Sequence, residues 1–193
     1  MLTDLRTNFN ASSINGRTGF HLACLNGHVH VVELLVQESR TRNINLNACD
    51  ADQRTGFHLA CLYGQPKVVQ CLLQESQKKR IDIKAINDRK RTGFHLACIA
   101  GELQVVKILI KEGVSTGFDF NATDENGRTG YHWACLRGHL KLVQLLVQES
   151  SKIHLCLSTE DSNKKTGFNL ANDYAQRDVV QFLSPKAKSN TLS

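Results

Sequence analysis

His21 and Cys24 stand three residues apart, and the same pair returns as His58 and Cys61, His95 and Cys98, and His132 and Cys135. On a helix, a spacing of i and i+3 puts both side chains on one face. Imidazole and thiolate are zinc ligands, so a ladder of such pairs could hold metal. A thiolate beside an imidazole could also serve as a nucleophile. The regularity of the pattern argues against both. A catalytic centre is one irregular place, whereas these residues share four equivalent ones. The cysteine reads better as a small core residue, and the histidine as a hydrogen-bonding position of a repeated unit. The off-register candidates Cys49, Cys71, Cys156 and His154 form no motif. The expectation is no catalytic residue, no metal and no cofactor.

The pair sits inside a longer motif, Thr18-Gly19-Phe20-His21-Leu22-Ala23-Cys24-Leu25, which restarts at Thr55, Thr92 and Thr129. A worn fifth copy reads Thr166-Gly167-Phe168-Asn169-Leu170-Ala171-Asn172, and every step is 37 residues. Self-similarity at such a period means a stacked array. Each Thr can cap a helix with its hydroxyl. Phe20, Leu22, Ala23 and Cys24 give that helix a wide apolar face, and Asn26-Gly27-His28 ends it. A second helix follows, with Val31-Val32-x-Leu34-Leu35 and its counterparts at i, i+3 and i+4 marking one buried face. Pro66 falls at the start of its copy, where a missing N–H costs little. Asn-, Asp- and Gly-rich segments before each Thr predict turns or hairpin tips. One such unit cannot bury its apolar faces alone, but stacked neighbours can.

The array is expected to fill residues 9–184, after a polar lead-in at 1–8. The fifth copy carries Asn169, Asn172, Asp173, Gln176, Arg177 and Asp178, the polar outer face of a terminal cap. Pro185 should stop its helix, and 185–193 reads as a disordered polar tail.

At 193 residues, 41% hydrophobic and 22% charged, the chain has the composition of a folded soluble protein. Its net charge of +6 favours acidic partners without choosing between protein, nucleic acid and anionic lipid. Seven cysteines, four of them set by the period, do not form a disulfide framework. Met1-Leu2-Thr3-Asp4-Leu5-Arg6 has no signal-peptide character. The expected setting is a reducing intracellular one, cytoplasmic or nuclear. No apolar run approaches the roughly 20 residues of a membrane span.

These units resemble ankyrin repeats over nearly the whole chain. The carrying pattern is Thr-x-aromatic-His-Leu-Ala, then Gly27-His28 or Gly138-His139, then Val-Val-x-Leu-Leu, then Asn47-Ala48 or Asn121-Ala122. The resemblance implies an all-α solenoid of stacked helix-turn-helix repeats with projecting β-hairpin loops. It also implies a non-catalytic monomer that binds other proteins through hairpin tips and first helices. Two departures stand out. Ankyrin repeats commonly place Pro after the Thr, whereas all five copies here have Gly. Since Pro restricts the unfolded chain, Gly56→Pro and Gly93→Pro should raise the melting temperature. The repeat is also longer than the usual 33 or so residues. The four extra fall after the second helix, in a longer helix or a longer loop. Glu112-Gly113 suggests an early helix stop in the third copy.

The family geometry implies where a partner would sit. The residue before each Thr is basic: Arg17, Arg54, Arg91, Arg128 and Lys165. A ladder of charge at the hairpin base, facing the concave side, would suit an acidic protein segment. The competing reading is charge that is solvated or paired locally. Contact candidates on the tips are Ile14, Asn15, Ala51, Asp52, Asp88, Arg89, Glu125 and Asn126. On the first helices they are Asn26, Tyr63, Ala100 and Arg137, with Trp133 assigned to the core. Lys78-Lys79-Arg80 and Arg89-Lys90-Arg91 could instead form a patch for nucleic acid or anionic lipid. They lack the interleaved aromatics that single strands need, so a solvated rim is preferred.

Overall fold

A computed structural model describes residues 7–78 and 80–184. Pro185 and the C-terminal tail lie outside the described residues. The helices come in pairs: α1 (Gly19–Leu25) and α2 (Val29–Glu38), α3 (Gly56–Leu62) and α4 (Pro66–Gln77), α5 (Gly93–Ala100) and α6 (Leu103–Thr116), α7 (Gly130–Leu136) and α8 (Leu140–Glu149), α9 (Gly167–Asp173) and α10 (Arg177–Leu183). The five first helices pack side by side in one layer and the five second helices in another. The core is the continuous strip between the layers, from Phe20, Cys24 and Val32 through Phe94 and Leu109 to Leu170 and Val179. Among the described residues no helix is long and apolar enough to cross a membrane.

Each first helix starts where its Thr hydroxyl meets the backbone N–H three residues on, closing a reciprocal capping box. The residue that returns the bond is His in four copies and Asn169 in the fifth. The tips are simpler than hairpins. Among the described residues the only β-bridge joins Ser12 and Thr18. Each later tip is a turn closed by two backbone bonds: Asp50 N–H donates to the Arg54 carbonyl at 2.9 Å and Gln53 N–H to the Asp50 carbonyl at 2.9 Å, with the same pair at Asn87, Asp124 and Asp161. Adjacent tips are tied edge to edge, Ala51 N–H donating to the Asn15 carbonyl at 3.0 Å and Ser162 N–H to that of Asn126 at 2.9 Å.

The residues beyond the usual repeat length go mostly into the return loop. Helices α2 and α8 have 10 residues and α4 has 12. The third copy reverses its expectation, because α6 does not stop at Gly113 and is the longest, with 14. Gly113 instead lets the return segment fold onto the helix. A Cβ there would stand 3.1 Å from the Phe120 ring and 3.2 Å from Phe118 Cβ. Phe120 meets Phe94 edge-on, with ring centroids 5.2 Å apart. The chain leaves the helix at Gly117, whose φ of +65° is the left-handed conformation glycine adopts freely.

The glycine after each Thr also has a packing cause. A Cβ on Gly56 would stand 2.8 Å from the Phe20 ring and 2.9 Å from Cys24 Sγ, both of the preceding repeat. Gly93, Gly130 and Gly167 meet Phe57, Phe94 and Tyr131 at 2.7 Å or less. The aromatic and the cysteine fill the space where a proline ring would go. The expected gain from proline at positions 56 and 93 is therefore overturned. Only Gly19, with no repeat before it, has nothing within 4 Å.

Candidate partner-binding face

The histidines are fully engaged. His58 Nδ1 accepts from the Thr55 N–H and hydroxyl, each at 3.1 Å, and Nε2 donates to the Arg91 carbonyl of the next repeat at 3.1 Å. His21, His95 and His132 make the same bonds to Arg54, Arg128 and Lys165. With Nδ1 accepting a backbone N–H, the ring must be neutral. Burial lowers the pKa of all four, that of His58 to about 4. Cys24, Cys61, Cys98 and Cys135 are buried thiols whose pKa burial raises, so they are poor thiolates. All seven cysteines are unpaired.

The basic ladder is spent inside the array. Arg17 pairs with Asp50 at 3.4 Å, Arg91 with Asp124 at 3.3 Å and Arg128 with Asp161 at 3.1 Å. In each pair the arginine belongs to one repeat and the buried aspartate to the next. Lys165 pairs with Asp173 at 3.2 Å. The other oxygen of each aspartate organises its own tip, as Asp50 Oδ1 does by accepting the N–H of Asp52 and of Arg54. Burial opposes the charge on Asp50 and Asp161, but these bonds outweigh it and hold both below the usual carboxylate range. Local pairing, the competing reading, is thus the arrangement observed. The arginines hold neighbouring tips in register.

Trp133 is buried as assigned. Its Nε1–H donates to Asp124 Oδ2 at 3.0 Å, and the guanidinium of Arg91 lies 4.5 Å from its ring centroid, with Arg128 at 5.3 Å. The positions left facing solvent are the tips and the ends of the first helices. Asn15, Asp52, Asp88, Arg89, Glu125 and Asn126 are exposed on the tips, and Asn26, Tyr63 and Arg137 at the helix ends; Ala100 is half-buried. Ile14 is wholly exposed, and Tyr63 and Ile86 are about half so, at 47% and 54%.

A family model for ankyrin repeats matches the chain in three overlapping stretches, residues 2–85, 77–155 and 94–192. The chain belongs to the ankyrin-repeat family. No curated protein matches it. For an ankyrin array the inter-repeat aspartates are the residues that reading for exposed charge passes over. Their signal is in the period: Asp50, Asp124 and Asp161 stand at one repeat position, where the first copy has Ser13 and the third Asn87.

Proposed function

We propose that the chain is a non-catalytic adaptor, scaffold or regulatory module inside the cell, which holds a protein partner on its tips and first-helix ends. One observation carries this reading: exposed, mixed side chains, Tyr63, Arg89 and Arg137 among them, stand on a face whose backbone is tied rigidly from repeat to repeat. Tyrosine and arginine are the types most often found as binding anchors. The patch for nucleic acid or lipid has less to stand on. Lys78 and Arg80 pair with Glu75, and Arg91 pairs with Asp124.

The test is affinity capture from nuclease-treated lysate with the parent chain and two variants. One carries Tyr63→Ala, Arg89→Glu and Arg137→Glu. The other carries Lys67→Glu and Lys141→Glu, exposed on the second helices. A protein lost by the first and kept by the second is the expected result. A protein held equally by all three would put the contact elsewhere. No captured protein, with nucleic acid bound in a separate assay, would replace the reading.

A further inference from the structure

The junction between the second and third repeats lacks two ties found elsewhere. At the other junctions the arginine of one tip reaches a buried carboxylate of the next. Arg54 has no such carboxylate, because the residue there is Asn87. It turns back to its own tip instead, bonding Asp50 Oδ2 through Nε at 3.0 Å and Nη2 at 2.8 Å and pairing with Asp52. Asn87 keeps the tip-organising role, its Oδ1 accepting the N–H of Arg89 and of Arg91. Its Nδ2 stands where the missing oxygen would be. The second lost tie is at the helix ends. Gln65, His139 and Gln176 each donate to a carbonyl of the preceding repeat, at Leu25, Ile99 and Leu136. The matching residue here is Glu102, and as a carboxylate it has no proton to give Leu62.

A slot of about 240 Å³ opens at this junction. Its rim is Arg54, Asp52, Asn87, Asp88, Arg89 and Arg91, above the side chains of Leu62, Leu96 and Ile99. Three guanidiniums stand on the rim, and its carboxylates Asp52 and Asp88 are joined by Asp50 and Asp124 behind it. Arg54 and Arg91 are already paired, while among the described residues Arg89 has no ion-pair partner.

We infer that this slot takes an acidic side chain, Asp or Glu, from an extended partner segment with an apolar neighbour. The carboxylate accepts from Arg89 and from the Asn87 amide, the two donors at this junction that no carboxylate among the described residues engages. The apolar neighbour covers Leu62, Leu96 and Ile99. The inference rests on the proposed protein-binding face and narrows it to one junction and one residue chemistry.

The test is NMR of the full chain labelled at arginine side-chain nitrogens. It is titrated separately with capped Leu-Glu-Leu, capped Leu-Gln-Leu, inorganic phosphate and a short oligothymidylate, and repeated on Asn87→Asp. Asp is already the residue at three equivalent positions, so this variant should fold, and a thermal melt no lower than the parent's checks it. Leu-Glu-Leu is expected to shift Arg89 Nε, with Leu-Gln-Leu and the Asn87→Asp variant each binding at least about tenfold more weakly. No shift, or equal binding by Leu-Gln-Leu or by the variant, overturns the slot. A stronger response to phosphate or oligothymidylate overturns it in favour of a phosphate ligand. A partner captured by the parent chain and by Arg89→Glu alone, but lost by Tyr63→Ala with Arg137→Glu, would sink this inference alone if the slot stays silent. If no protein is captured in the first place, the broader reading fails.

Discussion

The ring of Phe57 lies so close to Gly93 that a Cβ on the glycine would stand 2.7 Å from it, nearer than real Cβ atoms come. Glycine and aromatic form one joint across each repeat boundary. Gly93→Pro should therefore destabilise the chain by about 1–3 kcal/mol, the usual cost of overpacking. At Gly19 the space is open, the position is the first of its helix, and Thr18 before it is extended with ψ of 171°. Gly19→Pro should stabilise by about 0.4–1 kcal/mol. Urea midpoints of the two variants should move in opposite directions.

Acid should loosen the array well above the range where carboxylates titrate. His21, His58, His95 and His132 are held below their ordinary 6.5, His58 at about 4. Between those values the unfolded chain binds more protons than the folded one, so stability rises with pH there. It should be full above about pH 7 and fall through 6 and 5, by up to ~1.4 kcal/mol per pH unit for each histidine still neutral in the fold. Asp50, held below its ordinary 3.8, adds a loss only under about pH 4. His58→Asn gives the check. Asn169 Oδ1 already accepts the Thr166 N–H at 3.0 Å in the fifth copy, so the cap should survive while the slope between pH 7 and 5 becomes shallower. An unchanged slope would remove the histidines from the account.

Asp124 accepts the N–H of Asn126 and of Arg128 on one oxygen, and Arg91 and Trp133 on the other. Asp124→Asn leaves the first oxygen in place and sets an amide against two donors. The expected cost is roughly 1.5–3 kcal/mol in denaturant unfolding. Trp133 is the single tryptophan, so its emission reports on the same site, and the variant should alter the native spectrum.

Cys156 is exposed, and hydrogen bonds from Thr159 and Ser158 lower its pKa to about 7. The four periodic cysteines are buried, with raised pKa. Iodoacetamide at pH 7 should modify Cys156 first and leave Cys24, Cys61, Cys98 and Cys135 intact until the chain unfolds, as peptide mass spectrometry would show. Early labelling of Cys61 would contradict the packing of the third-repeat glycine against it.

What the sequence made legible was whatever depends on one unit at a time. The cap at Thr18, the turn before it and the apolar face of each helix are local, and the period carries them to the next copy. What it concealed depends on two units at once. Gly56 looked like a missing proline because Phe20 and Cys24, which fill its space, come from the repeat before. Arg91 looked like free charge because its carboxylate, Asp124, lies 33 residues on. The third copy's helix ran past Gly113 because two phenylalanines of the return segment hold it from outside.

The ties made by the four histidines of the capping boxes reach forward by one unit: His21 finds its acceptor at Arg54, His58 at Arg91, His95 at Arg128 and His132 at Lys165. No such bond waits for the far end of the chain. During synthesis each repeat can lock as soon as the next tip leaves the ribosome, so the array is able to assemble at the pace of translation, one tooth of a zipper at a time.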